Sequence, residues 1–143
     1  MPLISIVVPC YNEQESLPIF LKELDGVVRI MTQQDPEISF EAVLIDDGSA
    51  DKTLAVMKAE AAAAHPYAIR WHSFSRNFGK EAALFAGLQH AKGDYVATMD
   101  ADMQDPPSLL PQMYEILQTE NYDNVATRRT CLLYTSPSPR DCS

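Results

Sequence analysis

Apolar residues arrive along this chain in two alternating rhythms. Compact runs at positions 3–9 (L-I-S-I-V-V-P), 40–46 (F-E-A-V-L-I-D), 69–75 and 94–99 each read as a strand, the first being apolar and rich in β-branched residues. Between them the spacing changes. Leu17, Phe20, Leu21, Leu24, Val27, Val28 and Met31 recur at three- and four-residue intervals, which predicts an amphipathic helix with one face on a sheet, ended by Asp35-Pro36. Further helices are expected over 52–65, where Ser49 or Asp51 can cap and the Ala61 to Ala64 run favours helix, over 78–91 with Gly93 as a stop, and over 106–119. Val125-Ala126-Thr127 begins a fifth strand.

Strands alternating with helices imply βαβ crossovers and a mainly parallel sheet covered on both faces. In such sheets the ligand crevice lies beyond the carboxyl ends of the strands. Four polar clusters fall there: Pro9-Cys10-Tyr11-Asn12-Glu13, Asp46-Asp47, Ser75-Arg76-Asn77, and Asp100-Ala101-Asp102. The last belongs to D-A-D-M-Q-D-P-P, in which Asp100 and Asp102 can converge in a turn with the amide oxygen of Gln104 nearby. Oxygen donors of this kind suit a hard divalent cation, Mg²⁺ or Mn²⁺, that keeps substrate phosphates in its shell. The same acids also suit plain turn and capping chemistry: Asp105 before Pro106-Pro107 looks like an N-cap, and Asp46-Asp47 opens an Asp-Gly-Ser turn.

Composition narrows the class. With 143 residues and 46% apolar content the chain is one domain's worth of globular protein, and a net charge of −9 with no basic run argues against a nucleic-acid partner. No apolar window is long enough to span a bilayer, no export signal precedes the first strand, and the three cysteines form neither a disulfide framework nor a zinc spacing, so a reducing, cytoplasmic setting is expected. Cys10 and His72 read as structural.

The end of the chain departs from this pattern. Residues 131–143, C-L-L-Y-T-S-P-S-P-R-D-C-S, closely resemble the translation of a sequencing-library adapter, so a non-native, disordered tail is expected there and residues 1–130 are taken as the N-terminal part of a longer natural domain.

P-x-Y-N-E after the first strand, V-L-I-D-D-G-S-x-D-x-T after the second, and D-A-D-M-Q-D-P-P after the fourth together resemble the family 2 inverting glycosyltransferases of GT-A fold. The run S-F-S-R-N-F-G-K-E-A-A-L at 73–84 resembles their polyprenyl-phosphate branch, which includes bactoprenol glucosyltransferases and dolichol-phosphate mannose synthases. G-x-G-x-x-G and Walker-A patterns are absent. The resemblance implies an α/β, Rossmann-like GT-A sheet, of which this is the N-terminal part.

It also implies residue roles. Pro9, Tyr11 and Glu13 would surround the nucleotide base and ribose, Asp47 would accept the N3-H of uracil with Asp46 behind it, and Asp100 would contact the nucleotide or orient a basic side chain. Asp102 and Gln104 would hold Mg²⁺ or Mn²⁺. Arg76 and Lys80 could hold the diphosphate or the lipid phosphate; Lys80 opposes the helix dipole from the first turn, which suggests an anionic partner, although an exposed surface lysine fits equally. Arg128 and Arg129 match basic positions of the branch. The implied reaction transfers a hexosyl group, with UDP-glucose the favoured donor, to a polyprenyl phosphate, in a parent protein expected at the cytoplasmic face of the membrane. A non-catalytic nucleotide-sugar-binding fragment and a family member with a saccharide acceptor are the alternatives.

Overall fold

The computed structural model describes residues 2–104, 106–120, 124–126 and 131–135. Strand β1 (Leu3–Cys10) is followed by α1 (Ser16–Gln34), β2 (Ser39–Asp46), α2 (Thr53–Ala62), β3 (Ala68–Ser73), α3 (Lys80–His90), β4 (Tyr95–Thr98), a 3-10 turn at Pro107–Leu109, α4 (Leu110–Glu120), β5 (Asn124–Ala126) and β6 (Cys131–Thr135). The described strands form one sheet in the order β3-β2-β1-β4-β6-β5, with β3, β2, β1 and β4 parallel, β6 antiparallel to β4, and β5 antiparallel to β6. The expected mainly parallel α/β sheet is therefore present.

Both faces are covered, which is why β1 and β2 are apolar almost throughout rather than alternating. Ile4, Ile6 and Val8 pack with Leu17, Phe20, Leu21 and Leu24 of α1, Met57 of α2 and Leu110 of α4. Val7, Val43, Ile45 and Val96 face the other way, onto Ala83, Leu84 and Leu88 of α3. Gly87 lets α3 come close: a Cβ there would lie 2.2 Å from Val7 Cγ1.

Element ends differ from the sequence expectation for local reasons. Helix α2 stops at Ala62 rather than 65, because His65 precedes Pro66 and its ring lies between Asp25 (Nδ1 to Oδ1 2.8 Å) and Glu60 (Nε2 to Oε1 3.0 Å). Helix α3 starts at Lys80 rather than 78, because the amides of Phe78 and Gly79 donate to Asp47 Oδ1 at 2.8 and 3.3 Å. Within the stretch expected to be a tail, Cys131–Thr135 pairs antiparallel with β4. L-L-Y-T is apolar and β-prone, and the edge of β4 beside it offers unpaired backbone groups to any such strand. Residues 136–143 lie outside the described residues.

Beneath the opposite end of the sheet, a polar knot ties α3 to the strands. Glu41 is buried; its Oε1 accepts from Arg70 (2.7 Å), and its Oε2 accepts from Ser5 Oγ (2.5 Å) and the Lys92 amide (2.7 Å). Burial alone would raise its pKa, but the bonds from Ser5, Lys92 and Arg70, together with the Arg70 charge, hold the carboxyl below its ordinary value. Above this knot His72 stacks on His90 at 3.6 Å, and its Nε2 has no partner. Burial, then the neighbouring His90 and Arg70, lower its pKa.

Both shifts are depressions, so both contributions are present above the unfolded-state values and are lost as pH falls. Melting temperature should therefore be level from pH 7 to 8, begin to fall below about 6.5 as unfolded His72 protonates, and fall further below about 4.3 with Glu41. His72→Phe, which keeps the stack on His90, should remove the upper part of that decline.

Candidate functional site

The strand order dictates where a ligand can sit. From β1 the chain winds outward through β2 to β3, then crosses back to lay β4 on the other side of β1. The connection leaving β1 runs toward β2 and the one leaving β4 toward the β6-β5 side of the sheet, so the crevice between these neighbouring strands is the topological switch point. A cavity of about 270 Å³ opens there, lined by Pro9, Tyr11 and Glu13 after β1, Asp47 after β2, Lys80 at the start of α3, and Asp100, Asp102 and Gln104 after β4. Cys10 and Ala101 complete the wall.

Each expected site residue has a definite place. Tyr11 is half exposed at the rim. Glu13 faces the cavity, accepts from Ser16 Oγ, and has its backbone amide fixed on Thr53 Oγ1 at 2.8 Å. Asp46 lies behind the cavity, its Oδ1 accepting from the Ser49 amide (3.0 Å) and its Oδ2 from Ser73 Oγ (2.9 Å). Asp47 is 4% exposed and organises the loop after β3: beyond Phe78 and Gly79, Asn77 Nδ2 donates to its Oδ2 and its carbonyl at 3.1 Å. Lys80 Nζ lies 2.8 and 3.0 Å from the two oxygens of Asp100. Asp102 and Gln104 are exposed, with the Gln104 amide donating to Asp102 Oδ1 at 3.1 Å in a turn where Met103 takes φ 67°.

Arg76 is the exception. Its guanidinium rests over the Phe78 ring at 4.8 Å and the residue does not line the cavity. Asp105, Arg128 and Arg129 lie outside the described residues. Sequence reasoning gave Ser49 a capping role and Thr53 none, yet both hold the loop that carries Tyr11 and Glu13; the clue was the density of short polar side chains in D-G-S-x-D-x-T. Cys10 is buried, and burial, followed by the charges of Glu13, Asp46 and Asp100, pushes its thiol pKa up, so it is no nucleophile.

Charge decides what the cavity can hold. Four carboxylates, those of Glu13, Asp47, Asp100 and Asp102, face it against the one ammonium of Lys80. Such a wall repels a bare anion and attracts a cation. Among the described residues no three His, Cys, Asp or Glu side chains gather to hold an ion by themselves. The available donors are oxygens only, and too few for a closed shell. That fits a hard cation such as Mg²⁺ or Mn²⁺, which completes its coordination with water and substrate phosphates.

Comparison with known proteins bears on this geometry. The sequence model of the family described as "Glycosyl transferase family 2" matches residues 5–133. This chain belongs to glycosyl transferase family 2. Within the family, it is 39% identical over 128 residues to an undecaprenyl-phosphate 4-deoxy-4-formamido-L-arabinose transferase of Sodalis glossinidius, a match covering 88% of this chain and 36% of that protein. The chain thus spans about a third of the length of the curated relatives it matches.

The fold of this family 2 chain also has solved counterparts. A mannosyltransferase of Pyrobaculum calidifontis, solved in complex with GDP-Man and Mn²⁺, superposes with TM-score 0.72 at 24% identity, over 87% of this chain and 35% of its own. The mannosyl-3-phosphoglycerate synthase of Rubrobacter xylanophilus gives 0.62 at 21% identity, over 82% and 36%. The fold is GT-A, of which this chain holds the N-terminal part. No helix among the described residues is long and apolar enough to cross a membrane.

Proposed function

We propose that residues 1–130 are the nucleotide-sugar-binding part of a metal-dependent inverting glycosyltransferase whose acceptor is a polyprenyl phosphate. One observation carries the reading: carboxylates from three separate crossover loops and the Lys80 ammonium converge on one cavity at the switch point of the sheet. The undecaprenyl-phosphate acceptor named for the Sodalis relative supports the acceptor class, and the Mn²⁺ and GDP-Man of the Pyrobaculum structure support a metal-bound nucleotide sugar.

In this reading Tyr11 gives a base its stacking face, Glu13 accepts from ribose hydroxyls, and the Asp47 carboxylate, already held in orientation, accepts a base N–H. Asp102 and Gln104 hold the cation, which when bound offsets charge on the departing diphosphate. Asp100 keeps Lys80 aimed along the cavity edge, where its remaining N–H donors reach a phosphate oxygen as a point charge. Arg76, outside the cavity, is left to the acceptor side. The acceptor phosphate oxygen attacks the anomeric carbon from the face opposite the leaving diphosphate, so the C–O bond to the donor breaks as the new one forms and configuration inverts. A phosphate monoester is largely dianionic at neutral pH, since its second pKa is about 6, and needs no dedicated base.

Two donors are in contention. The S-R-N-F-G-K run favours UDP-glucose, while the relatives' names favour a nucleotide-linked formamidoarabinose. The test is the parent protein with its natural continuation, in vesicles holding undecaprenyl phosphate, offered each donor with MnCl₂ or EDTA. Metal-dependent glycolipid from either donor is the expected result; none from any nucleotide sugar, with saccharides glycosylated instead, would refute the lipid acceptor. Residues 1–143 alone should bind the nucleotide and transfer poorly.

A further inference from the structure

The loops that carry the cavity residues are laced to each other well beyond the two contacts that Ser49 and Thr53 make with the loop after β1. Backbone pairing between β1 and β2 closes where the Asp47 amide donates to the Cys10 carbonyl at 2.9 Å. Beyond that point the two loops diverge, and side chains take over the pairing. The Asn12 amide donates to Ser49 Oγ (2.9 Å), and the Ala50 amide donates back to Asn12 Oδ1 (2.9 Å). The Gln14 amide donates to Asp51 Oδ2 (3.4 Å), and the Lys52 amide donates back to Gln14 Oε1 (2.9 Å). Between these two reciprocal pairs the Glu13 amide donates to Thr53 Oγ1 (2.8 Å).

Thr53 is the fully buried member, and its hydroxyl is used twice, accepting from Glu13 and donating to Asp51 Oδ1. Asn12 sits at φ 54°, a left-handed conformation that asparagine tolerates and that turns the chain from Tyr11 toward Glu13. From these contacts we infer that Thr53, supported by Asn12 and Asp51, is a positioning residue for the nucleotide: the lace sets Tyr11 and Glu13 against Asp47 before any ligand arrives. This rests on the nucleotide-sugar reading above. A loop ordered in advance binds without the entropy loss of ordering at the moment of binding, so the lace should be visible in affinity.

The experiment compares the wild-type chain with Thr53→Val, of the same shape without the hydroxyl, and Thr53→Ser, which retains it. Asn12→Gly keeps the backbone turn, loses only the acceptor for Ala50, and serves if the valine variant does not fold. UDP and GDP, each with MnCl₂, are titrated calorimetrically well below the melting temperature, and amide exchange is followed without ligand.

Expected are a roughly tenfold weaker nucleotide affinity in Thr53→Val, a smaller loss in Asn12→Gly, about tenfold faster exchange at Glu13 and Gln14 with β1 unchanged, and recovery in Thr53→Ser. A merely structural threonine would lower the melting temperature and leave the affinity of the folded chain alone. Wild-type affinity in both Thr53→Val and Asn12→Gly overturns the positioning role while the nucleotide reading stands; a wild-type chain that binds neither nucleotide overturns that reading and this role with it.

Discussion

Replacing Gly48 with alanine is expected to destabilise the chain by about 3 kcal/mol or more, which for a domain of this size separates a folded protein from a marginal one. Two costs coincide. Gly48 has φ 67°, and left-handed backbone strains a residue bearing a Cβ by about 1–3 kcal/mol. The added Cβ would also lie 2.1 Å from the Arg76 carbonyl carbon, 2.3 Å from the Asn77 nitrogen and 2.5 Å from the Arg76 oxygen. These are backbone atoms, which cannot rotate aside as a side chain would, so overpacking adds about another 1–3 kcal/mol.

The controls are built into the chain. Gly79, at φ 105° and ψ 159°, a backbone region essentially reserved for glycine, with nothing within 4 Å of an added Cβ, should show backbone strain without overpacking, and Gly26, in α1 with open space around it, should be neutral or gain up to about 1 kcal/mol as alanine. Urea denaturation of the three variants checks the ranking. Because the 76–79 segment pressed by Gly48→Ala is the one Asp47 holds, nucleotide binding should weaken together with stability. A Gly48→Ala chain as stable as Gly26→Ala would mean that the loops after β2 and β3 do not touch as described.

That contact also marks the boundary of what the sequence could reveal. The three- and four-residue spacing from Leu17 to Met31 located α1 to within a few residues, because an amphipathic stripe is a local property and the buried residues of α1 follow it. The strand ends were legible for a similar reason: apolar runs stop where polar loops begin. Given a parallel sheet, the general rule for its carboxyl edge then placed Tyr11, Asp47 and Asp102 on one rim.

Tertiary choices were not legible. The N-terminus of α3 shifts by two residues because a carboxylate 31 positions upstream captures the Phe78 amide. The anionic partner suggested for Lys80 was readable from its place against the dipole, but that it is Asp100 follows from β4 lying beside β1, which no local pattern encodes. Arg76 lies outside the cavity for the complementary reason: its position in sequence put it at the right edge, and the aromatic face of Phe78 decided its direction. At Cys131–Thr135, strand formation followed local β propensity and an available edge, with no regard to how unusual the stretch looked.

Asp102→Ala should cost the chain at least about 100-fold in UDP affinity with MnCl₂ present and almost nothing in EDTA, since a divalent cation held by Asp102 would contribute several kcal/mol to diphosphate binding and each 1.4 kcal/mol is tenfold. The choice of Asp102 over Asp100 rests on what each carboxylate already does. Asp100 is engaged by Lys80 through both oxygens, at 2.8 and 3.0 Å, so removing it frees an ammonium beside the cavity. Asp102 is exposed and accepts the Gln104 amide through Oδ1, leaving Oδ2 for a ligand and placing Gln104 beside it. Asp100→Asn should accordingly change metal-free binding as well, since a released Lys80 can attract the diphosphate by itself. The two variants thus separate the roles by their response to EDTA. Equal losses with and without metal at Asp102 would identify it as a nucleotide contact rather than a cation ligand, and unchanged titrations in both conditions would remove it from the site.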